Sequence, residues 1–503
     1  MRTKSKALCG LLTGLALILT MLLSPAAAST SFTNAEGYLN VQAFGAKGDG
    51  TTNDTAAVQK AVNAARSGGK TVFFPAGLYN ISGSVTIPAG VKLEGITSAA
   101  NGPWQNLYDG ESKGKKYNGL SSSNYWDPDI YAGSWILAAD GSGNVDAGGT
   151  FRLSGDNTVS KLGFVTLMTP PLYAAEVTPT APVIAVDIEK MTSTKGIVIE
   201  DISLTNPYYG IAVYRNSLKK DTSSQSLGKK SSGPITIRNI MGAALYRGIS
   251  VIGADGKMTL HNLQFNYATY DKDYCSAHFN RCIDIDLAAC ADVTVRNVLS
   301  FGAQTGLRTF SAYSGSPVNL TAVSLNLEGE KPLILSAGGK QTVRNSYFLL
   351  TNFSNFSKEN KYRAVTITQD KACGAKTVYT LENLMFQDAM GTDSMIYDIT
   401  LQGGATVNAA QNLVWNFSST QPIIRYTHAS GAASTVTFTG LAFCSDKSGT
   451  LAAVGGSAYR AGELTFRYSR FPNGILGKLT SDSSVKFDRC TRGLGGGSTA
   501  FSH

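Results

Sequence analysis

From about residue 200 onward, short stretches of alternating apolar and polar residues recur, each closed by Gly, Asn, Ser or Asp. Such period-two alternation predicts β-strands, because successive side chains of a strand point to opposite faces. One set reads Gly210 to Tyr214, Gly248 to Ile252, Cys282 to Asp286 and Gly306 to Phe310, with starts 38, 34 and 24 residues apart. A second set reads Ile235-Thr236-Ile237-Arg238-Asn239-Ile240, Met258-Thr259-Leu260-His261-Asn262-Leu263 and Val293-Thr294-Val295-Arg296-Asn297-Val298. Two interleaved strand sets at a period of a few tens of residues predict a solenoid, in which every coil gives one strand to each sheet. The excess in the longer coils falls at 215–234 and 266–281 and is expected as loop. Ala364 to Thr368, Met395 to Leu401, Ile423 to Thr427 and Leu464 to Tyr468 continue the pattern.

The N-terminal third opens differently. A short strand leads into Gly45-Ala46-Lys47-Gly48-Asp49-Gly50, and a helix is expected from about Thr55, capped by Asp54 or Thr55. Ala56, Ala57, Val58, Ala61, Val62 and Ala65 give it a small apolar face, and Gly68-Gly69 ends it. Two β-rich stretches follow, Thr71 to Tyr79 and Val85 to Gly95. The run from Phe44 to Gly95 (FGAKGDGTTNDTAAVQKAV, then GGKTVFFPAGLYNISGSVTIPAGVKLEG) resembles the N-terminal segment of pectate-lyase-superfamily proteins. That group includes polygalacturonase-like and rhamnogalacturonase-like enzymes, some epimerases, and phage tailspikes. The resemblance implies an all-β, right-handed parallel β-helix with a short N-terminal capping helix. Within it Asp49 and Asp54 are expected to serve turns and caps rather than chemistry. The expected organisation is a leader at 1–28, cap and first coils at 29–100, remaining coils and long loops at 101–492, and a Gly/Ser-rich tail at 493–503.

The leader changes the compartment. Arg2, Lys4 and Lys6 precede an apolar stretch from Leu11 to Leu23, and Pro25-Ala26-Ala27-Ala28-Ser29 follows. This is the layout of a secretory signal peptide, too short in its apolar part to favour a membrane span. The expectation is export, with no membrane attachment once the leader is removed. Subtracting the three basic residues of the leader from 44 Lys+Arg leaves 41 against 35 Asp+Glu, a net charge of +6. A mildly basic exported chain suits acidic polysaccharides better than nucleic acid, because its basic residues are scattered. Six cysteines lie beyond the leader, and Cys275 with Cys282 or Cys290 is a candidate loop staple.

Candidate chemistry concentrates around one strand. In Cys282-Ile283-Asp284-Ile285-Asp286-Leu287 the isoleucines are expected inside, which turns Asp284 and Asp286 outward together. Arg308 is expected beside them on the next coil, with Ser250 and Arg247 on the preceding one. The loop before Cys282 adds Asp271, His278 and Arg281, and Tyr214 is a candidate sugar-stacking ring. Two carboxylates at this spacing suit acid–base cleavage of a glycosidic bond, or Ca²⁺ bridging to a uronate. Arg308 or Arg281 would hold a substrate carboxylate. The same groups would also serve as surface ion pairs that keep an exposed sheet soluble. Neither the Asn-x-Asp, Asp-Asp, Gly-His-Gly and Arg-x-Lys set of polygalacturonase-like enzymes nor the Trp-x-Asp-His strand of calcium-dependent pectate lyases is present. The leading expectation is therefore a secreted lyase or hydrolase of an acidic polysaccharide, Asp284, Asp286 and Arg308 being catalytic. The alternative is a non-catalytic extracellular glycan-binding scaffold.

Overall fold

A computed structural model describes residues 37–97, 133–138, 144–166, 179–205, 207–218, 226–266, 282–313, 316–351, 361–369, 377–390, 393–417, 419–444, 449–475, 485–493 and 499–501. Both expected strand sets form, and each stacks on itself. Ile211, Ile249, Ile285, Leu307 and Leu333 are level in a parallel sheet of twelve strands. Ile235, Met258, Val293, Leu320 and Gln341 are level in a longer sheet of twenty. The chain is a right-handed parallel β-helix.

The long sheet has two faces because its strands bend. Ile235–Ala243, Lys257–Asn266, Asp292–Phe301 and Lys340–Leu350 each turn at one left-handed residue, at Asn239, Asn262, Asn297 and Asn345. Asparagine tolerates that conformation better than most residues. Its side chain also bonds coil to coil: Asn262 Nδ2 donates to Asn239 Oδ1 at 3.0 Å, and Asn383 Nδ2 to Asn345 Oδ1 at 2.9 Å. The Arg-Asn and His-Asn pairs of the second strand set are thus the corner of each coil. A first face precedes the corner, a second follows it, and the twelve-stranded sheet closes the coil as a third.

The core is the column of inward residues, with Leu260, Val295, Ala322, Val343 and Leu381 stacked beside Phe348 and Phe386, whose rings lie 5.6 Å apart. The helix Thr55–Gly68 covers the open N-terminal end, burying Val58, Ala61, Val62 and Ala65. Asp54 does not cap it through its side chain. Its carboxylate instead accepts from Lys47 N at 2.7 Å and Gly48 N at 3.1 Å, closing the glycine turn, and Asn53 Oδ1 accepts from Thr55 N. Among the described residues no helix is long and apolar enough to cross a membrane.

Candidate functional site

The strand Ile283–Ala288 carries the expected acidic pair, but its alternation breaks. Position 284 is level with Gly248 and Gly306, and Ile285 is level with Ile249 and Leu307. A Cβ built on Gly248 would lie 2.7 Å from the core ring of Phe265, and one on Gly306 would lie 2.8 Å from the core side chain of Leu327. This level therefore faces inward, as does the next, where Ile285 sits in the core. Farther along the same sheet, Ala364 and Val365 are likewise both in the core. Asp284 is accordingly wholly buried, and its Oδ2 accepts from the buried Ser300 Oγ. The expectation that Asp284 and Asp286 project outward together is corrected: a bend between them places them on opposite sides of the sheet. They cannot flank one glycosidic bond.

Asp286 does face outward, where it is held between arginines from the coils on either side. Arg247 Nε donates to its Oδ2 at 2.8 Å, and Arg308 donates from Nε and Nη2 to its two oxygens, each at 2.8 Å. Asp286 and Arg247 are buried, whereas the Arg308 side chain is 29% exposed. Burial disfavours the Arg308 cation, but its hydrogen bonds to Asp286 and that carboxylate's charge outweigh this and raise its pKa above the ordinary value. Two guanidinium groups thus converge on one carboxylate. With both oxygens of Asp286 occupied and Asp284 inside, this donor set does not fit Ca²⁺, which needs six to eight oxygens.

Tyrosines border the trio. Tyr208 and Tyr246 occupy matching places on adjacent coils and stack with centroids 4.9 Å apart, and Tyr209 meets Tyr246 edge-on at 5.4 Å. The Arg247 guanidinium lies 3.7 Å over the Tyr246 ring. Burial pushes the Tyr209 phenol well above its ordinary pKa, so it holds its proton. Tyr214 differs from expectation: it is buried against Ala185, Ala212 and Leu218, with its pKa pushed up to about 12 by burial, and offers no open ring. Asp271, His278 and Arg281, like Cys275, lie outside the described residues. Cys290 is a free thiol buried in the core, its pKa pushed up to about 12 by burial.

The wiring recurs farther along the same sheet. Arg363 and Arg425 flank Asp398, and Arg363 Nη1 donates to the carbonyl of the preceding Tyr362, just as Arg247 Nη1 does to Tyr246. There Asp393 adds a second carboxylate, 3.1 Å from Arg363 Nη2, and charges balance. The arrangement by itself staples three coils. What sets the first trio apart is its stacked tyrosines, which alternation did not foretell.

The comparisons agree with this architecture. The family model of rhamnogalacturonase A/epimerase, pectate lyase-like proteins matches residues 38–116. Alginate lyase 7 of Azotobacter vinelandii is 58% identical over 45 residues, 9% of this chain and 5% of that protein. Mannuronan C5-epimerase AlgE1 of the same organism is 47% identical over 64 residues, 11% of this chain and 5% of its own length. The chain thus spans a small fraction of these curated relatives. In three dimensions it is similar to the N-terminal fragment of bacteriophage phi29 gene product 12, with TM-score 0.57 and 12% identity, covering 91% of this chain and 70% of the other. The tailspike of Escherichia coli bacteriophage HK620, solved with a pentasaccharide, gives TM-score 0.50 and 10% identity over 91% and 80% of the two chains. The fold and the N-terminal match together support a pectate-lyase-like superfamily.

Proposed function

We propose that this chain is an exported protein acting on a uronate-containing polysaccharide, which it engages on the outer face of the twelve-stranded sheet. The observation that carries the reading is the Arg247–Asp286–Arg308 trio, with the part-exposed Arg308 guanidinium, beside the Tyr208–Tyr246 stack. Arg308 offers a planar, part-exposed guanidinium suited to a sugar carboxylate, and Asp286 and Arg247 fix its orientation. The tyrosines offer ring faces and edges to the sugar. Hydrolysis by a pair of carboxylates loses support, because Asp284 lies inside and Asp286 is doubly ion-paired rather than poised to donate a proton. Lyases and C5-epimerases of uronates share a different first step, removal of the proton next to the carboxylate. A guanidinium on that carboxylate stabilises the charge which then develops. The names of the relatives, an alginate lyase and mannuronan epimerases, point the same way.

A screen of polymannuronate, polygalacturonate, rhamnogalacturonan and a neutral glucan tests the reading, scored for unsaturated uronide absorbance and for reducing ends. Action on a uronate polymer, lost in Arg308→Ala, is the expected result. Retained binding without turnover would favour the second reading, a glycan-binding scaffold, which the absence of a poised acid at Asp286 supports. Action confined to the neutral glucan contradicts both.

A further inference from the structure

The first face of the long sheet carries cations of another kind. On the twelve-stranded sheet Arg247, Arg308, Arg363 and Arg425 each meet a carboxylate. On the first face Arg238 meets Glu200, but Lys257, Arg296, Lys340 and Arg344 are exposed and make no ion pair among the described residues. They are not scattered. Arg238, His261, Arg296, Val323 and Arg344 are level on five successive coils, one column before the asparagine corner. Lys257 and Lys340 lie on the other edge of the face. Between them runs a column of threonines, Thr236, Thr259, Thr294, Thr321, Thr342 and Thr380. Over the four coils from Lys257 to Arg344 the outward residues of this face hold four cations and one carboxylate, Asp292.

Solubility needs charge on such a face, but it does not need one sign, and ordinary surfaces intersperse both. Here hydroxyls repeat at the coil spacing of about 4.8 Å, flanked on both sides by cations, of which Lys257 is level with Asp292 and Arg344 with Glu382 on the next coil. A pyranose ring with its linking oxygen spans about one such step in an extended chain. A polyuronate laid across the strands would meet one threonine hydroxyl per sugar, and its carboxylates would pass Arg296 and Arg344, about 10 Å apart over two coils. Duplex DNA, with a charge every ~1.7 Å of its axis, matches the rungs poorly.

We propose that this face is a binding ridge for a linear acidic polysaccharide, separate from the Arg308 site and running along the helix axis. It rests on the reading of the ligand class above but not on turnover. Such a ridge would hold the polymer while another stretch of it reaches the third face.

The test is retention of the full chain in gels containing polymannuronate, with dextran and duplex DNA as comparison polymers, at several salt concentrations. Arg296→Glu with Arg344→Glu should weaken retention at least tenfold and flatten its salt dependence, with the melting temperature unchanged. The milder Arg296→Gln with Arg344→Gln gives the same reading should charge reversal disturb the coils. Full retention of these variants, with loss in Arg308→Ala, overturns the ridge and leaves the Arg308 site standing. Loss in the ridge variants with no effect of Arg308→Ala supports the ridge and removes the Arg308 site. Equal retention by DNA and polymannuronate overturns the assignment to a polyuronate.

Discussion

Asp286 satisfies two guanidinium groups, one of them buried with it. Truncating it to alanine removes the carboxylate that Arg247 and Arg308 share. Breaking a buried pair in this way costs about 3–5 kcal/mol, and the partial exposure of Arg308 sets the expectation near the lower bound. Urea unfolding of Asp286→Ala measures it, and a change below about 1 kcal/mol would show that the trio contributes little. Glu328 gives a prediction of opposite sign. It follows the asparagine-type corner on the second face, level with Phe301 and Leu349, and desolvation raises its pKa above the ordinary value. A carboxyl raised on folding adds stability that is fully present below its unfolded pKa and is lost as pH rises through the folded one. Glu328→Gln should therefore raise the melting temperature at pH 7, with the difference vanishing near pH 3; a lower melting temperature at pH 7 would contradict this. Alternation sufficed to place Asp286 and Arg308, though not Arg247, which lies three residues before Ser250, level with Asp286, and faces outward only through the bend. It failed at Asp284, where the bend admits two consecutive inward residues and only the flanking Gly248 and Gly306 hint at the crowding.

At the scale of an element, the corner is the feature that makes a coil a coil. Asn262 holds φ 59° and donates to Asn239 while Asn239 donates to Asp201 Oδ1 at 2.9 Å. Alanine at 262 loses that rung and pays the left-handed cost, together roughly 2 kcal/mol; glycine loses only the rung, roughly 1 kcal/mol. Thermal or urea unfolding of the two variants should rank alanine below glycine, and the reverse order would mean the ladder rather than the backbone governs the corner. The recurring Arg-Asn-Val and His-Asn-Leu pattern was legible as a repeat, but its corner role was not. A left-handed residue leaves no mark on hydrophobic periodicity. The capping helix was legible in its apolar face, whereas Asp54 serves the Lys47–Gly48 turn because its carboxylate reaches those amides first.

A solenoid answers damage locally, because each coil touches only its neighbours. Near the C-terminal end His428 is buried without exposure, its Nε2 donating to the Ser430 carbonyl and its Nδ1 3.0 Å from both oxygens of Glu463. Tyr426 Oη and Ser434 N also donate to that carboxylate. Nothing local in the sequence marks this pair, since Glu463 lies 35 residues from His428 and meets it only through stacking. His428→Ala should remove one of the three partners of Glu463 and open the coils around Thr435–Thr439 and Leu464–Arg467 to hydrogen exchange, with Ile235–Ala243 still protected. Uniform loss of protection would contradict a nearest-neighbour solenoid. At this scale the fold was the most legible part of the chain, because strand repeats and the Phe44–Gly95 segment are sequential features. The ion pairs made by stacking are not, for Asp286 and Asp398 meet their arginines only across neighbouring coils.

The most direct measurement for the central claim is a crystal structure of the full chain with a mannuronate tetrasaccharide. The account predicts a sugar carboxylate against the Arg308 guanidinium with a ring beside Tyr208 or Tyr246. An oligosaccharide bound elsewhere, with Arg308 still bridging only to Asp286, would contradict it.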